Sequence, residues 1–219
     1  MHSTVQNLIE INNKIKLNLS SLKINNLPKI IAVSKTFKID KILQLIDYGH
    51  IDFGENKVQE AIDKWTEVKL KNPNIKLHMI GKLQTNKVKF AVKLFDFIHS
   101  VDTEKLAKKI ADEQLKINKK IKIFIQVNIG EEDQKSGINK NELNDFVSYC
   151  KNINLDVIGL MCIPPINSNS ADYFKDMKLL NNDFSFEELS MGMSSDYLEA
   201  SKNLATYLRI GSSIFGQRS

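Results

Sequence analysis

A chain of 219 residues is long enough to bury one sizeable core and falls in the range of one α/β barrel. Its hydrophobic fraction of 42% against 26% charged residues is that of a globular protein, and no apolar run approaches the roughly 18 residues of a membrane-spanning helix. The net charge of +5 comes from lysines mixed with Asp and Glu throughout, the pattern of a solvated surface and not of a nucleic-acid-binding patch.

The N-terminus carries no basic segment followed by an apolar block and a small-residue cleavage site, so nothing directs export and the expected location is the cytoplasm. Cys150 and Cys162 lie far from any CxxC or Cys/His spacing, which argues against a disulfide framework and against structural zinc. Of 31 basic residues only Arg209 and Arg218 are Arg. Against that bias, an Arg in the middle of an apolar strand is an informative residue.

An opening helix is expected over 4–22, with Val5, Leu8, Ile11, Ile15 and Leu19 at helical spacing. From there short apolar runs alternate with amphipathic segments, the rhythm of βα units around a parallel sheet. Eight runs are read as strands: 29–37, 52–54, 76–81, 97–101, 122–128, 156–163, 188–191 and 207–215. The clearest helices between them are 57–69, 103–117 with Asp102 as N-cap, and 141–150. Residues 164–170 are expected to be loop, leaving a short sixth helix over 171–181. Eight units can close, so the expected fold is α/β, a single (β/α)8 TIM barrel with an extra N-terminal helix. No linker or composition shift divides the sequence, and 1–219 is expected to form one domain, with 1–28 as helix and lead-in.

In such a barrel, function collects at the C-terminal ends of the strands. There Lys35 follows Ile30-Ile31-Ala32-Val33, and a period of two puts Ile31, Val33 and Lys35 on one strand face. A partly buried lysine has a depressed pKa and can attack a carbonyl. On position alone, among 29 lysines, a strand-end side chain reaching into solvent is the commoner case. Ser190-Met191-Gly192-Met193-Ser194 and Arg209-Ile210-Gly211-Ser212-Ser213 put Gly and Ser just past strands seven and eight, where barrels bind phosphate through loop amides and a short helix. Arg209 shares a face with Tyr207 and Gly211 and should enter the barrel. A buried Arg needs a partner, which could be a carboxylate such as Glu55 or an acceptor on a ligand.

The ordered blocks Ala32-Val33-Ser34-Lys35-Thr36, Phe53-Gly54-Glu55-Asn56, His78-Met79-Ile80-Gly81-Lys82-Leu83-Gln84-Thr85-Asn86-Lys87, Lys135-Ser136-Gly137, Gly159-Leu160-Met161, Leu189-Ser190-Met191-Gly192-Met193-Ser194 and Arg209-Ile210-Gly211-Ser212-Ser213-Ile214-Phe215-Gly216 resemble the pyridoxal 5'-phosphate (PLP) homeostasis family. The resemblance implies a barrel like the N-terminal domain of alanine racemase, a fold-type III PLP enzyme. It implies PLP held as an internal aldimine on Lys35, with Ser194, Gly211, Ser212 and Ser213 around the phosphate. It also implies Arg209 facing the pyridine nitrogen and Asn56 beside the ring, with no metal. A cation at that nitrogen disfavours its protonation and makes the ring a poorer electron sink. Like that family, the protein is expected to lack the racemase C-terminal β domain. It departs from the family around 168–186, which looks shortened, and at Cys162, where a small residue is more usual.

The function so implied is intracellular buffering and delivery of PLP without substrate turnover, with apo PLP-dependent enzymes as recipients and the protein acting as a monomer. The alternative is a racemase or decarboxylase using Lys35, His78 or Cys162 as acid or base, although His78 reads more readily as a packed histidine. A nucleic-acid-binding barrel, suggested by charge alone, has no recognition motif and few Arg to support it.

Overall fold

A computed structural model of the protein describes residues 2–166 and 168–217. The strands β1 (Lys29–Val33), β2 (Asp52–Glu55), β3 (Lys76–Met79), β4 (Phe97–Val101), β5 (Lys122–Val127), β6 (Asp156–Cys162), β7 (Glu188–Ser190) and β8 (Tyr207–Ile210) form a closed parallel barrel in chain order. β8 pairs with β1 in the register Lys29↔Tyr207 to Ala32↔Ile210, which completes the closure. All eight expected strands are present. The first and last are shorter than expected: the chain turns after Val33, and after Ile210 a short helix takes over.

The helices are α1 (Ser3–Ser20), α2 (Ile39–Asp47), α3 (Val58–Lys71), α4 (Val88–Leu94), α5 (Glu104–Lys116), α6 (Leu143–Asn152), α7 (Ser170–Asp183), α8 (Tyr197–Lys202) and α9 (Ser212–Phe215). The helix after β8 has only four residues, too few to cover its strand. α1 supplies the missing cover. It buries Leu8, Ile11, Ile15 and Leu19 from successive turns and is tied on three sides. Thr4 Oγ1 donates to Gln44 Oε1 at 2.8 Å, Asn7 Nδ2 to the Ile214 carbonyl at 2.9 Å and Asn18 Nδ2 to the Leu198 carbonyl at 3.0 Å.

Two expectations are corrected. The cap of α5 is Thr103, whose Oγ1 accepts from the Leu106 amide, whereas the Asp102 carboxylate accepts from the Gly137 amide across the barrel mouth. Helix six is not short: α7 has 14 residues, begun by Asn169, whose side chain accepts from the Ala171 amide. Asn167, which the sequence places in the loop expected over 164–170, and Arg218 lie outside the described residues.

Strand alternation divides the core in two. Phe53, Leu77 and Ile98 point outward against the helices, with Trp65 of α3 packed on Phe53. Ile31, Phe97, Phe124, Met161 and Tyr207 fill the interior. Close approach of β7 to β6 depends on Gly159, where a Cβ would lie 1.8 Å from the Glu188 carbonyl oxygen.

Candidate functional site

Lys35 sits one turn beyond β1, half-buried, and is held between two anchored neighbours. On one side the Ser34 hydroxyl donates to Glu55 Oε1 at 2.7 Å, while Lys64 Nζ donates to the Ser34 carbonyl at 2.9 Å. On the other, the Thr36 amide donates to Glu60 Oε1 at 2.6 Å. Thr36 has φ 66°, a left-handed conformation that a β-branched residue adopts only where its surroundings impose it. Burial alone would raise the Glu60 carboxyl, yet the Thr36 N–H and the Lys64 ammonium hold it below its ordinary value.

The strand-end residues meet in one cavity of about 340 Å³, within the roughly 300–1,000 Å³ typical of small-molecule sites. Lys35, Asn56, Ser194, Arg209, Gly211 and Ser212 all line it, and Val33, Ile80, Ile163 and Met193 give it apolar walls. Ser213 is not on the wall. Its amide donates to Ser194 Oγ at 3.3 Å, as does the amide of Gly211, so two backbone N–H groups converge on one oxygen at the start of α9. Gly192 makes the turn that delivers Ser194: its φ is 89° and a Cβ there would lie 2.5 Å from Ala200 Cβ.

Arg209 is 5% exposed and does not pair with Glu55. Glu55 faces outward from β2 and binds Ser34, Lys64 and Trp65. The Arg209 guanidinium instead donates through Nη1 to Ser190 Oγ at 2.7 Å and through Nη2 to the Cys162 carbonyl at 2.8 Å. Behind Ser190 lie His99 and Asp52, which sequence reading missed, joined through His78. Ser190 Oγ is 2.9 Å from His99 Nδ1, His99 Nε2 is 3.0 Å from His78 Nδ1, and His78 Nε2 is 3.0 Å from Asp52 Oδ1. The available signal was the one that singled out Arg209, a polar residue on the inward face of an apolar strand. His78 is a packed histidine, as expected, stacked on Phe97 at 4.2 Å. Burial pushes the Cys162 thiol up to about 12, which removes it as an acid or base at neutral pH.

Asn56, Ile80 and Ile163 separate the cavity from a second hollow of about 370 Å³, which Lys82, Lys135 and Ser136 line. Gly81 fixes that wall, since a Cβ at Gly81 would lie 2.4 Å from the Asn56 carbonyl oxygen and 2.8 Å from its Cα. Gly81→Ala is therefore expected to push the Asn56 backbone aside and cost about 1–3 kcal/mol of stability, read by urea unfolding. An unchanged midpoint would show that the loop yields freely.

Residues 12–219 match the family described as alanine racemase, N-terminal domain. The sequence is 35% identical over 225 residues to the pyridoxal phosphate homeostasis protein of Pasteurella multocida, covering 97% of each chain. With that of Escherichia coli K12 it shares 32% over 231 residues, covering 100% of this chain and 98% of the other. The protein belongs to the pyridoxal phosphate homeostasis family. Membership is matched in three dimensions by PipY of Synechococcus elongatus with PLP bound, at a TM-score of 0.81 and 32% identity, covering 92% of this chain and all of that one. The alanine racemase of Corynebacterium glutamicum shares the fold alone, with TM-score 0.73 and 14% identity, and this chain spans 60% of its length. Among the described residues, no helix is long and apolar enough to cross a membrane.

Proposed function

We propose that the protein binds PLP in the cavity at the C-terminal end of its barrel, holds it covalently on Lys35 and releases it to apo PLP-dependent enzymes without turning over a substrate. The observation that carries the reading is the convergence of Lys35, Arg209 and the amides on Ser194 Oγ in one cavity.

The donor set fits the group. Ser194 Oγ stands where a phosphate oxygen would receive the amides of Gly211 and Ser213, and Ser212 lies on the same wall. Val33, Ile80 and Met193 suit the faces of an aromatic ring, with Asn56 at its side. Arg209 can only donate, so it favours a ring nitrogen that stays unprotonated. PLP supplies an aldehyde for an amine to capture and a ring that withdraws electrons. Lys35 Nζ is the amine that captures it. The anchors at Ser34 and Thr36 fix the backbone from which that side chain reaches.

Among the described residues that line the cavity, only Lys35 and Arg209 are ionisable. A racemase needs acid–base groups on both faces of its substrate, and Arg209 stays charged. This supports storage over turnover.

The visible spectrum of the PLP-loaded protein tests the reading. Wild type is expected to show a band that borohydride bleaches with covalent retention of the cofactor, and Lys35→Ala is expected to lose it. Loaded wild type should also activate an apo PLP enzyme and leave amino-acid α-hydrogens unexchanged in D2O. Absence of a reducible band in wild type would overturn covalent holding, and α-hydrogen exchange would favour the enzyme.

A further inference from the structure

We propose that Asp52, His78, His99 and Ser190 form one directional hydrogen-bond chain that positions the Arg209 guanidinium beside the cavity and links it to a remote carboxylate at the opposite end of the barrel.

The direction follows from what each group can donate. Arg209 has no acceptor, so Ser190 Oγ must accept from Nη1 at 2.7 Å. At the far end an ionised Asp52 has no donor, so His78 Nε2 must carry the proton across 3.0 Å. A neutral His78 then has a bare Nδ1, which accepts from His99 Nε2–H at 3.0 Å. The Nδ1 of a neutral His99 is bare in turn and accepts the Ser190 hydroxyl proton at 2.9 Å. Every polar atom in the line is satisfied by this single assignment. The reverse direction requires a second proton on His78. It strands the Ser190 hydroxyl proton and puts an imidazolium in line with the buried guanidinium.

The surroundings favour the neutral assignment. Both imidazoles are fully buried, His78 stacked on Phe97 and His99 on Phe124, each at 4.2 Å. Burial lowers both below the ordinary histidine value, and for His99 the neighbouring His78 and Arg209 add to it. Asp52 stays ionised: His78, Lys76 and His50 outweigh a burial that would raise it. The other titratable groups facing the line are Asp96 towards His78, and Asp196 and the Cys162 thiol towards Arg209. Lys29, Glu188 and Tyr207 close the barrel beneath it.

Among the described residues no carboxylate lies within 4.0 Å of the Arg209 guanidinium. A carboxylate at contact would take up the donors that face the cavity. Asp196 acts on Arg209 from beyond that distance, and two neutral imidazoles separate Arg209 from Asp52. They leave Arg209 oriented by Ser190 and Cys162, with its other N–H groups available to a ligand. His78, His99, Ser190 and Asp52 are thus positioning residues acting through Arg209.

Two arms test this. In the first, the unloaded wild-type protein is labelled with 15N at histidine and followed by long-range 1H–15N correlation. His78 and His99 are expected to carry one proton each, on Nε2, unchanged from about pH 8 to 5.5. Titration of either ring near its ordinary value, or a proton on Nδ1 of His99, would overturn the assignment. The second arm rests on the PLP reading and follows the pH midpoint of the loaded protein's visible absorbance. Asp52→Asn removes a negative charge, so proton binding at the site weakens and the midpoint is expected to move down by roughly half a pH unit. Asp52→Glu should keep the wild-type midpoint. An unmoved midpoint in folded Asp52→Asn would overturn the link to the remote carboxylate, whereas failure of wild type to take up PLP would sink the functional reading and leave the first arm standing.

Discussion

Lys64→Met is expected to destabilise the protein by about 3–5 kcal/mol, the cost of leaving a buried carboxylate without its cation. The side chain of Glu55 is fully buried and that of Lys64 is 10% exposed, with Nζ 3.0 Å from Glu55 Oε1. The same oxygen accepts from the Ser34 hydroxyl and from Trp65 Nε1, while Oε2 has no partner, so the carboxylate depends heavily on Lys64. Met keeps the length and packing of the lysine stem and removes only the charge. Glu55→Gln in the same background is expected to recover much of the loss, because a neutral amide can still accept from Ser34 and Trp65. Urea unfolding of the single and double variants measures both quantities. A single-variant cost under about 1 kcal/mol would mean that water reaches Glu55. On the proposed reading the substitution also touches function, since Lys64 holds the Ser34 carbonyl and Glu60, and Glu60 holds the Thr36 amide. Retention of a ligand on Lys35 should weaken alongside stability.

That buttress shows what strand periodicity can and cannot reveal. The eight strands were legible because each is a short apolar run between polar segments, and Lys35 and Arg209 were legible because alternation put them on inward faces. The outward direction of Glu55 follows from the same alternation, since Phe53 two residues earlier packs on Trp65. Its partner Lys64 does not, because α3 presents several lysines of similar appearance. The ends of β1 and β8 were overextended for a related reason: Phe37, Ile214 and Phe215 are apolar, but they pack as loop and helix residues, Phe37 stacking on Phe215 at 4.9 Å. The α5 cap was misplaced by one residue because Asp102 and Thr103 are both good caps, and only the contact from Gly137 decides between them. The histidine line escaped notice because His78 was weighed as a single residue. Its meaning depends on Asp52, His99 and Ser190, which lie far apart in sequence and meet only when the barrel closes.

The same histidines give the protein a definite acid sensitivity. Lowering the pH from about 7 to 5.5 is expected to destabilise the unloaded protein, by on the order of 1 kcal/mol for each buried histidine that stays neutral over that range. Burial lowers His50, His78 and His99 below 6.5, and for His99 the shift is large. As the pH falls through that value, the unfolded chain takes up protons that the folded barrel refuses, so stability drops. Each histidine that stays neutral costs up to about 1.4 kcal/mol of stability per pH unit below 6.5. The carboxylates act elsewhere. Asp52 and Glu60 are held below 3.8 and 4.5, so the stability they contribute is complete above those values and is lost only under stronger acid. Asp102, raised by burial, acts in the opposite sense by taking up its proton earlier in the folded state. Urea unfolding at half-unit steps of pH would separate these ranges, and His50→Gln should remove its own share of the histidine slope. A stability that stays flat between pH 7 and 5.5 would mean that the folded barrel binds protons at His78 and His99 as readily as the unfolded chain, and the neutral line to Arg209 would fall with it.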